Sequence, residues 1–301
     1  MRQRLSTYAH QDHQSNSRRR IQGRLRLDFT QDPVSQQTIL SSSEQQPPLR
    51  VVRAFPFADG AVLLHLHNIS GGVLGGDYLE MEIGLGRNAR AQLTTTGATR
   101  LYRRHASVSD AMQINRVTIG EDAWLEYLPD PLIPFAGAGY RQHTRIDLDQ
   151  GAGLFWWEVV APGREARGEL FDYERLDLKL EIRVNGRLVA LERNRLEPRL
   201  RPLDSPSRLG NYRYFASFYI CRAGLEAASW LALEEELQEI AVGLSRPTEI
   251  AWGISALPAH GLAVRALSVN GREITAGLTT LWRAAKLKLY GLEAVSPRKT
   301  Y

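Results

Sequence analysis

The chain has 301 residues, 43% of them hydrophobic, enough for one large domain or two ordinary ones with a substantial core. Its 38 lysines and arginines against 33 acids leave a formal charge of +5, but outside 18–20 and 193–208 the basic residues are scattered, so no nucleic-acid partner is expected. No run approaches the eighteen or so apolar residues of a membrane helix, the first residues lack the apolar stretch of a secretory signal, and the single cysteine excludes an internal disulfide and a cysteine-cluster metal site. No membrane partner is expected, and a reducing, cytoplasmic setting is.

In chain order, residues 1–20 are polar, carry the triplet Arg18, Arg19 and Arg20, and show no period that would bury a face. They are expected to form a disordered basic tail. GRLRLDF (23–29) alternates charged residues with Leu25, Leu27 and Phe29, the period of a half-buried strand, and the fold is expected to begin there. A Gln/Ser segment between 30 and 48 reads as a loop carrying one edge strand. Strands are predicted at 49–55 and 60–68. In the second, His65 and His67 share a face, because side chains two apart point the same way. The plainer reading is two polar positions alternating with Leu64 and Leu66; the sharper one is a pair of metal ligands.

GGVLGGD (71–77) brings two glycine pairs up to Asp77, so a turn places an acid. Strand pattern follows at 78–83, a turn at 84–88, and a second strand at 89–96 ending in Thr94, Thr95 and Thr96. Read as one hairpin, these would set Asp77 beside the threonine run. Strands are predicted again at 111–119, 123–128, 140–148 and 154–160. Between two of these, PDPLIPFAGAG (129–139) has three prolines and must lie at an edge or cross between strands. LFWWEVV (154–160) embeds Glu158 in apolar residues, so that acid should face a polar cavity, meet an arginine or be protonated. GREARGE (163–169) sets Glu169 beside a glycine, where pairing with an arginine is the plainer reading.

A hairpin is predicted around Asn185-Gly186, then an aromatic strand at 212–222 in which Cys221 reads as a small buried hydrophobe. Helices are predicted at 224–244, where Leu233, Leu237, Ile240 and Leu244 recur at helical spacing, and at 275–290, with Leu278, Leu281, Trp282, Ala285 and Leu289 on one side. Arg283, Lys286 and Lys288 near the end of the second suit the helix dipole. Strands at 250–255 and 261–268 lie between them. The fold expected is mainly β: a large multi-stranded β-sheet scaffold with two α-helices in the C-terminal third, residues 21–301 forming a single domain.

The glycine stretch is not a phosphate loop, since it lacks a G-K-[ST] ending and strand rather than helix follows. No nucleophile elbow, zinc-protease helix or paired C-x-x-C is present. What remains is a set of acids, Asp77, Glu158 and Glu169, with a threonine-rich strand end. An acid/base pair of Asp77 and Glu158 in a β-rich hydrolase is one reading of that set.

Four motifs in register, GGVLGGD, TTTGATRLYR (94–103), YLPDPLIPF (127–135) and LFWWE followed by GREARGE and Phe171, closely resemble the UreD/UreH family of urease accessory proteins. The resemblance extends into LPAHGLAVRALSVNG (257–271) and to Leu281-Trp282. It implies a non-enzymatic scaffold and chaperone that bridges the urease apoprotein to UreF and, through it, to the GTPase UreG. It also implies a largely β fold, no tightly bound cofactor, and nickel in transit along an internal passage. Matched position by position, the family's path residues fall on Asp77, Glu158, Glu169 and Thr99. Oxygen donors suit such a path, because they hold a divalent ion weakly enough to release it. His65 and His67 stand where family members commonly carry apolar or aromatic residues and would add nickel affinity particular to this chain.

Overall fold

The computed structural model describes residues 22–297, so the basic tail expected at 1–20 lies outside the described residues. The first sheet has seven strands, in the order β14 (Arg187–Leu196), β13 (Arg175–Val184), β11 (Gly139–Leu148), β8 (Ala111–Ile119), β5 (Tyr78–Leu85), β1 (Gln22–Gln31) and β2 (Thr38–Gln46). The second runs β16 (Ile250–Ala256), β17 (Gly261–Ser268), β15 (Tyr214–Arg222), β12 (Gly153–Val160), β9 (Trp124–Tyr127), β6 (Arg90–Thr95), β4 (Val62–Asn68) and β3 (Leu49–Pro56). Two short strands, β7 (Thr99–Leu101) and β10 (Leu132–Pro134), pair with each other, and β10 also pairs with β12.

Alternation explains the layering. On β12, Leu154 and Trp156 face the first sheet, while Phe155, Trp157 and Val159 face the opposite way. Against that second face lie α1 (Ala227–Leu244) and α2 (Gly271–Tyr290), which contribute Trp230, Leu233 and Leu237, and Leu278, Leu281 and Trp282. The molecule is therefore three layers, sheet on sheet on helices, with the β12 strand buried on both faces. The Gln/Ser segment supplies β2, an edge strand as expected. The proline-bearing segment crosses between the sheets, and its only strand is the short β10 beside them.

The expected hairpin of β5 and β6 does not form. β5 pairs in parallel with β1 and β8 in the first sheet, and β6 pairs in parallel with β4 and β9 in the second. The turn between them is real, with Asn88 at a φ of 60°, but it is a corner between sheets. Parallel neighbours need a crossover, usually a helix. Here the crossover is a strand of the opposite sheet, so from β4 to β13 the chain winds as a flattened coil. Local turn chemistry is the same for a hairpin and a corner, which is why the sequence pattern did not separate them. Asp77, just before β5, and the threonine run, at the end of β6, consequently adjoin strands of different sheets.

The helices stand where the periodicity places them, except that α2 starts one turn earlier. Asn270 caps it, its side chain accepting the Arg272 amide at 3.0 Å. Of the cations near its end, Lys286 is 1% exposed and meets Glu126 at 2.8 Å under the helix, while exposed Lys288 bridges to Glu236 of α1 at 2.8 Å.

Candidate functional site

Winding sorts the loops. The three passages from the first sheet to the second, around residues 86–89, 120–123 and 149–152, are tight corners. The four return passages, at residues 69–77, 96–110, 128–138 and 161–174, are long and lie together at the other end, because neighbouring strands of the coil run parallel. Asp77, Thr99, Glu158 and Glu169 lie at or near this open end.

Gly72 and Gly76 are needed there. A Cβ on Gly72 would sit 2.5 Å from the Arg100 carbonyl oxygen, and one on Gly76, at a φ of 85°, would sit 2.5 Å from Val108. Their absence lets the 69–77 loop press against residues 100–108, with Val73 bridging to Leu101. Asp77 closes this turn: its carboxylate accepts the Leu74 amide at 2.9 Å, and its own amide returns to the Leu74 carbonyl at 3.1 Å. It is 3% exposed, and burial raises its pKa, with the Leu74 hydrogen bond opposing.

Between the sheets, a polar belt divides the apolar interior. Along β11, Tyr140 belongs to one apolar cluster and Ile146 and Leu148 to another, with Gln142 and Thr144 between. The same division recurs at Gln113 and Asn115 on β8, at Glu158 on β12 and at Glu192 on β14. Gln142 donates to the Glu158 carboxylate at 2.5 Å, Asn115 donates to Thr144 at 3.0 Å, and Tyr140 lies 3.0 Å from Gln113 and from Gln142 through its hydroxyl. At the far edge Glu192 accepts from Ser217 and Tyr219, each at 2.7 Å, and meets Arg265 at 3.1 Å. Burial, and secondarily the charge of Glu192, push the Glu158 pKa up to about 7 despite the Gln142 bond.

Two cavities follow the belt. One, of about 280 Å³, opens beside Gly71, Gly97 and His67 and is walled by Thr95 and Thr99. The other, of about 30 Å³, holds Glu158, Gln142 and Asp130, room for ordered water. Thr99, Gln113 and Tyr127 line both, so the cavities adjoin. The structure thus brings Thr99 and Glu158 to one interior space, and Asp77 lines neither cavity. Asp77 and Glu158, read as one possible acid/base pair, do not line a common cavity.

Glu169 takes the plainer reading: Arg164 grips its carboxylate through two nitrogens, one at 2.8 Å, and the Ala136 amide donates at 3.2 Å. The Arg164 bond is the main cause of its lowered pKa. His65 packs edge-on against Phe55 with ring centres 5.9 Å apart, while His67 reaches the larger cavity. Burial, and then His65, lower the His67 pKa. Among the described residues no group of three or more His, Cys, Asp or Glu is placed to hold a metal ion. Cys221 is fully buried, its thiol pushed up to about 12 by desolvation. Gln113, Tyr127, Tyr140 and Gln142 were not singled out in the sequence. For the two glutamines a signal was present, since they are in phase with the inward apolar positions of AMQINRV (111–117) and YRQHTRI (140–146).

Fold and site define a β scaffold whose apolar interior is divided by a polar belt that opens at one end. The chain belongs to the UreD urease accessory protein family, whose model matches residues 22–301. It is 48% identical over 282 residues to the urease accessory protein UreD of Herpetosiphon aurantiacus, covering 94% of this chain and 97% of that one. A UreD of Pseudomonas aeruginosa is 36% identical over 253 residues, 83% of this chain and 85% of the relative, and one from Opitutus terrae is 33% identical over 232 residues, 76% and 85%. Among the described residues no helix is long and apolar enough to cross a membrane.

Proposed function

We propose that this chain is a non-enzymatic scaffold and chaperone in urease maturation, acting in the cytoplasm and bridging the urease apoprotein to UreF and, through UreF, to UreG. Nickel is its cargo, moving along the polar belt between the sheets. The observation that carries this reading is the pair of adjoining cavities sharing Thr99, Gln113 and Tyr127 and ending on Glu158. Carboxylate, amide and hydroxyl oxygens are donors that pass a divalent ion on without trapping it. Glu158 must lose its proton to take a cation, so ion movement is coupled to proton release and is favoured as pH rises through about 7. Asp77 supports the path by shaping its loop, and Glu169 by fixing the loop over Ala136. His65 and His67 are proposed as a capture point, since His67 reaches the cavity mouth. Calorimetry of nickel binding with both histidines changed to alanine tests that part; unchanged binding removes it.

The decisive experiment narrows the path without touching the outer surface. Thr99→Phe places a ring where the two cavities meet, and nickel-dependent activation of apo-urease is then assayed with UreF and UreG present. Activation is expected to fall by about tenfold or more while co-purification with UreF and urease is retained. Full activation by a folded Thr99→Phe protein would sink the internal path, and loss of co-purification in the wild type would sink the bridging role.

A further inference from the structure

A third hollow lies outside the belt, on the far side of the β7 and β10 wall. It is an open groove of about 840 Å³, floored by Ile133, Phe135 and Ala161 and walled by the first turn of α2 and residues 163–167. Four arginines, Arg100, Arg164, Arg167 and Arg272, line it against one acid, Glu165. Arg164 is held by Glu169, and Glu165 is taken up by Arg213 and by the Tyr214 hydroxyl. Arg100, Arg167 and Arg272 are exposed and have no acid partner among the described residues.

We propose that this groove docks an acidic, leucine-bearing segment of a partner protein. Charge selects the sign of the occupant, and the apolar floor calls for side chains that leave water as well as charges that meet arginine. The chain's own terminal segments are the wrong sign: Arg2, Arg4, Arg18, Arg19 and Arg20 outnumber Asp12 at one end, and Arg298 and Lys299 stand at the other. A second copy could offer the face of α1 that carries Glu235 and Glu239 with exposed Leu231 and Val242, an occupant that self-association of this protein would reveal. Single-stranded nucleic acid would need a free ring to stack on. Phe135 offers none, because Arg164 covers its face at 4.2 Å and Tyr102 meets it edge-on at 5.0 Å; Tyr214 packs against Gly271. Docking here is independent of any ion traffic inside, although Arg100 lines both the groove and the larger cavity.

The test is fluorescence anisotropy with the full chain and a short labelled peptide of Glu, Asp and Leu, against the matched Gln, Asn and Leu peptide. The acidic peptide is expected to bind, to weaken with added salt, and to lose about tenfold or more in affinity to Arg167→Glu/Arg272→Glu. Both positions are exposed and unpaired, so the variant should melt at the wild-type temperature; if it does not, salt dependence and the neutral peptide carry the comparison in the wild type. Equal binding of the neutral peptide, or unchanged affinity in a folded variant, overturns the proposal. So does an RNA oligonucleotide that displaces the peptide, or sedimentation showing self-association of this protein, as dimer, ring or open chain, that Arg167→Glu/Arg272→Glu dissolves.

Discussion

Glu158 is half-buried and Asp77 buried, different forces set them, and substitution should tell them apart. The Glu158 pKa is raised to about 7 from a usual value of 4.5, so its neutral form is favoured in the fold. A raised carboxyl contributes stability in full below about 4.5 and loses it as pH rises through about 7. Denaturant unfolding of the wild type should therefore show stability declining across that window by at most about 3 kcal/mol relative to Glu158→Gln. Parallel pH profiles for the two proteins would show that the shift is not real. Asp77 works as an acceptor for the Leu74 amide. Asp77→Asn keeps an acceptor and should melt near wild type, whereas Asp77→Ala should lose about 1–3 kcal/mol by leaving that amide unmet. Asp77→Asn with normal stability but poor urease activation would instead assign the charge itself a role.

Two element-scale contacts are worth breaking. The 69–77 loop meets residues 100–102 across Gly72, so Gly72→Ala must push the Arg100 backbone, while Gly97→Ala in the same region meets nothing within 4 Å. The first should cost about 2 kcal/mol or more and the second under about 1, read from thermal melts. Under α2, Lys286 and Glu126 are 1% and 2% exposed, with Gln92 donating to Glu126 at 2.6 Å and to the Val295 carbonyl at 3.0 Å. Removing one charge of such a pair leaves the other buried alone. Lys286→Met should destabilise by about 3–5 kcal/mol, and adding Glu126→Gln should recover a substantial part. Additive losses would mean that the two side chains do not act as a pair.

For the whole molecule, the relevant fact is that β12 feeds both apolar layers, Trp156 into one and Trp157 into the other. Sheet packing and helix packing should then fail together. Tryptophan fluorescence and far-UV circular dichroism are expected to give coincident denaturant transitions; an earlier fluorescence change would mark the helical layer as a separately unfolding unit. Neighbouring strands of the coil are also distant in sequence, so refolding should be slow, on the order of milliseconds to seconds.

What the sequence by itself determined is the local chemistry: strand periods, the two helices, the glycine turn that places Asp77, the edge position of the Gln/Ser segment, and the need for Glu158 to meet polar company. Each depends on residues close in the chain, or on the cost of burying a charge, and both are written locally. The tertiary structure decided which strands are neighbours. A corner and a hairpin share the same turn residues, so only sheet pairing could separate Asp77 from Thr94–Thr96 and bring Thr99 to Glu158 instead. It also decided that Lys286 of α2 turns inward to Glu126, and that Gln113 and Gln142 join one belt. Those outcomes rest on contacts between segments tens of residues apart, which no pattern within a single strand can encode.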